Sequence, residues 1–288
     1  MAAWTALVVV SSLTGMLSGC ERSESSSRTA TGAAENRATS VDADRPGNQS
    51  PAERLAERLR AMPRSAPAAA ADRAAEQALA MLTAGRNEGA ESALRFALHD
   101  RPQAIRLQFL MALAIHKQSR YEEARRWYDA VVDSGQATPE IDQLPHFYGW
   151  CLYYLGRPEE ARVAFEEHLR RVGDEADSLF GLGVIALEDD RVEDAEALLI
   201  RSIESIDARS RNAARDAAKA HVRLGDVYVR IERLDEAERH LRRAVGLHAD
   251  HYEGWAKLAR LLHRLGRPDD AAEAQRQHDE AQRRVGRG

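Results

Sequence analysis

The architecture turns on residues 218–251, AKAHVRLGDVYVRIERLDEAERHLRRAVGLHADH. Leu224 and Tyr228 stand four apart, and so do Ala237 and Leu241, the spacing that aligns side chains on one helix face. Small residues, Gly225 and Ala237, sit beside the large ones. Two helices of this kind fit an antiparallel crossing in which small side chains let the backbones approach and large ones fill the space alongside.

The unit recurs. Six segments align at 71–104, 105–138, 142–175, 176–209, 218–251 and 252–285, each 34 residues long, with 139–141 inserted before the third and 210–217 before the fifth. A period of this length marks a repeat architecture. Position 20 holds Ala90, Ala124, Ala161, Ala195, Ala237 and Ala271, the column that sets the frame. Position 8 holds Ala78, Ala112, Gly149, Gly183, Gly225 and Ala259, and position 24 holds Leu94, Tyr128, Phe165, Leu199, Leu241 and Gln275. The turn inside each unit shows in Leu155-Gly156-Arg157-Pro158 and Leu265-Gly266-Arg267-Pro268: Gly closes the first helix and Pro opens the second. In the last unit Gln275 and His278 stand where inner units mostly carry Leu, Phe, Ala or Val, as suits a terminal helix with no further neighbour, so the stack is expected to end near Val285.

These residues resemble the tetratricopeptide repeat (TPR) signature, most fully through Leu224-Gly225, Tyr228, Ala237 and Leu241, then through Trp255, Leu258, Ala259 and Ala271. The resemblance implies an all-α, right-handed superhelical solenoid of about six helix-turn-helix units over 71–285. It also implies a concave face lined by positions 2, 5, 9, 12 and 13 of the first helices. Carried onto this chain, those positions include Phe109 and His116; His146, Trp150, Tyr153 and Tyr154; Phe180; and Lys219, Arg230, Arg260 and Arg264. The aromatic members are expected either to anchor a segment of a partner protein in the groove or to pack between neighbouring first helices. The paired Lys and Asn of the dicarboxylate-clamp members are not matched, since Asn212 is the one Asn after residue 100.

Upstream, residues 1–19 carry no charged side chain and end in Leu17-Ser18-Gly19-Cys20. An apolar run of this length is short for a bilayer span and suits a signal peptide. The ending resembles the lipobox of bacterial lipoproteins, although no Lys or Arg precedes the apolar run. It implies a lipid on Cys20 and an address in the bacterial envelope, on the periplasmic or another extracytoplasmic side. Residues 20–70 are rich in Ser, Ala, Arg and Glu and are expected to form a disordered tether. Within it, Leu55, Leu59 and Met62 are spaced for a short helix over 52–62.

Composition narrows the chemistry. The 288 residues carry 41 Lys+Arg against 46 Asp+Glu, so no polybasic field marks a nucleic-acid binder. Two cysteines, Cys20 and Cys151, exclude a disulfide scaffold and a four-cysteine zinc site. His248-x₂-His251, with His240 and His263 nearby, falls at a join between units and lacks a recognised ligand pattern, so no metal site is expected, nor any cofactor. No nucleotide-binding or nucleophile motif occurs. The expected function is a non-catalytic protein-protein interaction scaffold tethered to a membrane, similar in architecture to TPR lipoproteins that assist envelope assembly. The alternative is an accessory or substrate-carrying subunit of a peptidoglycan or polysaccharide enzyme, its aromatic groove stacking on sugars.

Overall fold

The 34-residue rhythm becomes a run of antiparallel helix pairs. The computed structural model describes residues 49–67 and 72–286. Within them lie thirteen α-helices and one 3₁₀ turn, and no strand. Helix α1 is Pro51–Ala61. The six expected units then appear as α2 (Arg73–Thr83) with α3 (Asn87–Asp100), α4 (Ile105–His116) with α5 (Tyr121–Ser134), and α6 (Leu144–Tyr154) with α7 (Pro158–Val172). They continue as α8 (Ala176–Glu188) with α9 (Val192–Glu204), α10 (Ala213–Arg230) with α11 (Leu234–Leu247), and α12 (Tyr252–Arg264) with α13 (Pro268–Val285).

Each crossing is built as the alanine and glycine columns require. Ala90, Ala124, Ala161, Ala195 and Ala237 are fully buried, and Ala271 nearly so. A side-chain carbon added at Gly149, Gly183 or Gly225 would come within 2.8 Å of Phe165, Leu199 or Leu241 respectively. Position 8 is therefore small because position 24 of the same unit lies across it.

The turns carry two columns beyond those that set the frame. Position 15 is Gly85, Ser119, Gly156, Asp190, Glu232 and Gly266, and all six have φ between 60° and 73°. Ser119, Asp190 and Glu232 thus hold a left-handed backbone that glycine adopts without strain. Position 16 is arginine in every unit: Arg86, Arg120, Arg157, Arg191, Arg233 and Arg267. The N–H of each returns to a carbonyl five residues back, as in Arg86 to Met81 and Arg267 to Leu262, closing the first helix. From Arg120 onward each arginine also pairs with an acid three residues on: Glu123, Glu160, Asp194, Glu236 and Asp270.

Residues 49–67 depart from the expected tether. The short helix is present, capped by Ser50 and Glu53, which bond reciprocally to each other's backbone N–H. It does not stand alone. Leu55, Leu59 and Met62 are buried in the same apolar core as the first three units. Arg58 pairs with Asp129 and Asp133 of α5. Arg171 of α7 donates to the carbonyls of Leu59, Met62 and Pro63. So α1 lies across the second helices of two units. The chain leaving α1 is fastened on either side of the insertion 139–141. The Ala66 N–H donates to the Thr138 carbonyl, while Ser65 and Asp142 exchange two hydrogen bonds. The expectation of a disordered tether rests on the small apolar surface of this stretch; three residues at helical spacing, together with buried arginine contacts, are enough to dock it.

The core divides near residue 185. One apolar cluster runs from Leu55 to Ile185, a second from Ala186 to Ala274, and Phe180 and Leu198 pack against both. The second insertion, 210–217, falls at this seam and supplies the first turn of α10.

Candidate interaction groove

The first helices of units two and three are apolar on nearly every side, as in IRLQFLMALAIH of α4 and LPHFYGWCLYY of α6. Such helices bury themselves on all sides. Three residues expected on the groove are accordingly inside the protein. Phe109 is fully buried, tilted against Tyr128 and Phe147. His116 is buried, with Nδ1 3.2 Å from the Tyr128 hydroxyl, and burial pushes it down to about 3. His146 is fully buried. Trp150 is only 8% exposed, and its Nε1 donates to Asp177 at 2.9 Å. Phe109 and Trp150 thus pack inside the protein, as the alternative for the aromatic residues has it, and the two histidines lie inside it too.

Three aromatic residues stay half-buried at the surface: Tyr153, Tyr154 and Phe180. Tyr154 stacks on Tyr121 at 4.7 Å and on Trp150 at 5.9 Å, and Trp150 lies 6.2 Å from Phe180. The Tyr153 hydroxyl donates to Glu188. The rings therefore form a continuous stripe across α5, α6 and α8. The basic residues form no such stripe. Arg230 pairs with Asp190 and donates to the Leu187 carbonyl, and Arg264 pairs with Glu232. Arg260 is exposed and Lys219 half-buried. Lys117, one position from His116, is pushed down to about 8 by burial.

At the seam between the two cores the stripe meets a cavity of about 190 Å³. Phe180 lines it, with five carboxylates (Asp174, Glu175, Asp177, Asp207, Asp216) and Lys219. Asp207, Asp216 and Lys219 come from the α9–α10 connection and the start of α10, where the eight inserted residues sit. Burial and the adjacent Glu175 push Asp177 up to about 8, while burial raises Asp216.

Behind the cavity lies a buried polar chain that linear sequence reasoning misses. His168 Nε2 is 3.1 Å from the Gln143 amide oxygen, which only accepts, so Nε2 carries the proton. Burial lowers both His146 and His168, His168 to about 3, and keeps the rings neutral at pH 7. His168 Nδ1 therefore accepts from the Ser178 hydroxyl at 2.9 Å, and Ser178 Oγ accepts from His146 Nδ1–H at 2.9 Å. This leaves the lone pair of His146 Nε2 without a hydrogen-bond partner, 3.4 Å from Asp177 Oδ2. The histidines are positions 5 and 27 of one unit and the serine position 3 of the next. Linear spacing could not unite them; the repeat frame, with neighbouring units stacked, could have.

The other histidines form no single cluster. His251 Nδ1 caps α12 by accepting from Gly254 and its ring lies 6.2 Å from that of His248, His240 contacts His221 at 3.0 Å, and His263 is exposed. Cys151 donates to the Tyr121 carbonyl, and burial pushes its thiol up to about 12, so it is a structural residue. Cys20 lies outside the described residues.

Comparison with known proteins agrees with this geometry. A family profile described as tetratricopeptide repeat matches residues 75–139 and 222–284, and a second of the same description matches 174–250. No curated protein matches the sequence. Among solved structures, the chain is similar to the APC/C hetero-tetramer Cut9–Hcn1, with 15% identity and a TM-score of 0.62 over 72% of this chain. The match spans 39% of that chain's length. PilW, a widely conserved type IV pilus biogenesis factor, aligns at 18% identity and a TM-score of 0.57, over 72% of this chain and 93% of that one. Pseudomonas aeruginosa pilF aligns at 18% identity and a TM-score of 0.55, over 70% and 86%. At such identities the likeness is one of fold. Helix pairs at a 34-residue period, small residues at their crossings and two matching profiles lead to one conclusion: the chain belongs to the tetratricopeptide repeat family.

Proposed function

We propose that this protein is a non-catalytic scaffold that binds a segment of a partner protein along the aromatic stripe, held to a bacterial envelope membrane by a lipid on Cys20. The observation that carries the reading is the meeting of Phe180 with an acidic cavity at the seam of the two cores. An apolar ring beside several carboxylates suits a segment that presents an apolar anchor and a basic side chain. A protein partner accounts for the site better than a glycan, because Trp150 and Tyr154 already stack on each other's faces. The lipobox-like Leu17-Ser18-Gly19-Cys20 supports the anchor, and pilus-assembly proteins sharing the fold make envelope assembly a reasonable setting.

A photo-cross-linking residue placed at Phe180 in cells should give a discrete adduct with one envelope protein. The same residue at Phe96, 78% exposed on the second helix of the first unit, should not. Equal labelling from both positions contradicts the groove. The C20A variant should move from the membrane to the soluble fraction; a variant that stays with the membrane contradicts the lipid.

A further inference from the structure

We infer that His146, His168 and Glu175 form a binding site for one divalent transition-metal ion of the zinc class. One ligand atom from each of the three lies within 4.8 Å of the others. The geometry names them: Glu175 Oε2 is 3.7 Å from His146 Nδ1 and 3.9 Å from His168 Nδ1. Ligands about 2.1 Å from a tetrahedral ion stand roughly 3.4 Å apart; Glu175 is within a few tenths of an ångström of that spacing from each imidazole, and the two imidazoles, their ligand atoms within 4.8 Å of each other, close by about 1 Å through side-chain rotation. Two imidazoles and one carboxylate suit zinc; calcium and magnesium prefer all-oxygen sets. Ser178 Oγ, 2.9 Å from both Nδ1 atoms, occupies a further side of the same space.

The surroundings are those a metal-bound histidine needs. When Nδ1 binds an ion, Nε2 must carry the proton and give it to an acceptor. His168 Nε2 already faces the Gln143 oxygen. His146 Nε2, fully buried and without a hydrogen-bond partner, faces Asp177 Oδ2. Binding at Nδ1 turns that atom into a donor aimed at the carboxylate. The ion thus gives His146 Nε2 a partner, while Ser178 exchanges its hydrogen bonds to the two Nδ1 atoms for a place beside the ion. Glu175 is held in place as the cap of α8, accepting from the N–H groups of Asp177 and Ser178. Glu175 and Asp177 also line the acidic cavity, which gives a cation an attractive route inward.

The test uses the full chain, stripped with a chelator and titrated with zinc chloride by calorimetry, then with cobalt chloride by visible absorption. We expect one saturable equivalent and the d–d bands of a nitrogen- and oxygen-ligated cobalt site. H168Q and E175Q should each weaken binding at least tenfold, and D177N by about 10–100-fold. E175Q keeps an acceptor at the helix cap, so it reports on the site even where H168Q unfolds by circular dichroism. H221Q/H240Q should leave the equivalent intact. Absence of a saturable equivalent in the parent, its full retention in E175Q, or its loss in H221Q/H240Q while E175Q binds normally would overturn the site.

Discussion

Replacing Arg171 with Met is expected to destabilise the protein by about 3–5 kcal/mol, the range for removing one partner of a buried ion pair. The guanidinium has no exposed surface. Its Nε donates to Glu167 at 2.6 Å, Nη1 to Asp142 and the Pro63 carbonyl, and Nη2 to the Leu59 and Met62 carbonyls. Those carbonyls belong to the end of α1 and the residues after it, where the helix ladder runs out; the Leu59 carbonyl also accepts from the Met62 N–H. One substitution therefore strips the Met62 and Pro63 carbonyls of this donor, weakens the bonding at Leu59, and detaches α1. R171K keeps the charge but not the planar fork, and should recover only part of the loss.

The loss should also depend on pH. Burial works to raise Glu167, but hydrogen bonds from Arg170 and Arg171 outweigh it and hold the carboxyl below the usual carboxylate range. A group depressed in the folded state adds stability above its unfolded pKa, about 4.3 for Glu, and that stability fades as pH falls through the folded value. The gap between parent and R171M should thus be widest near neutrality and narrow below about pH 4. Urea midpoints across that range measure it; a gap that widens in acid contradicts the pairing.

Replacing Gly181 with Ala is expected to cost a net of about 1–2 kcal/mol. Phe165 is fully buried between two glycines. A methyl at Gly181 would come within 2.7 Å of its Cε2, and one at Gly149 within 2.8 Å of its Cδ1 and Cε1. The ring cannot retreat from one without striking the other. Overpacking of this kind costs about 1–3 kcal/mol, and alanine's helix propensity returns up to about 1. F165L should relieve the clash, so F165L/G181A should be more stable than the two single losses predict, with a coupling of about 1 kcal/mol. Gly246 is the control. It lies inside α11 with nothing within 4 Å of an added carbon, so G246A should be neutral or stabilising. Thermal melts of the four variants check this, and a G181A melt equal to that of G246A would contradict the packing.

Both effects mark how far the sequence could be read. The crossings were legible because Gly149, Gly183 and Gly225 recur against Phe165, Leu199 and Leu241, a pattern set by local packing and repeated. The arginine column from Arg86 to Arg267 was equally visible and would have confirmed the frame independently. The groove was less legible. Carrying the family's concave positions onto α4 and α6 put Phe109, His116 and His146 at a surface, but those helices are apolar all round and seal that face. The docking of α1 was hidden for a different reason. Leu55, Leu59 and Met62 announce an amphipathic helix, whereas its partners Asp129 and Arg171 lie more than 70 residues away and read as solvated charges. Gly181 falls outside the aligned columns because its need for smallness comes from the preceding unit, through Phe165.

The six helix pairs from Arg73 to Val285 form one stack, and α1 is docked across α5 and α7 as part of it. Hydrogen–deuterium exchange of the full chain tests this most directly. Amides of residues 54–61 should be protected to the same order as those of α5 and α7, and in R171M they should lose that protection while α10–α13 keep theirs. Exchange of residues 54–61 at the rate of an unstructured peptide in the parent protein would contradict the account.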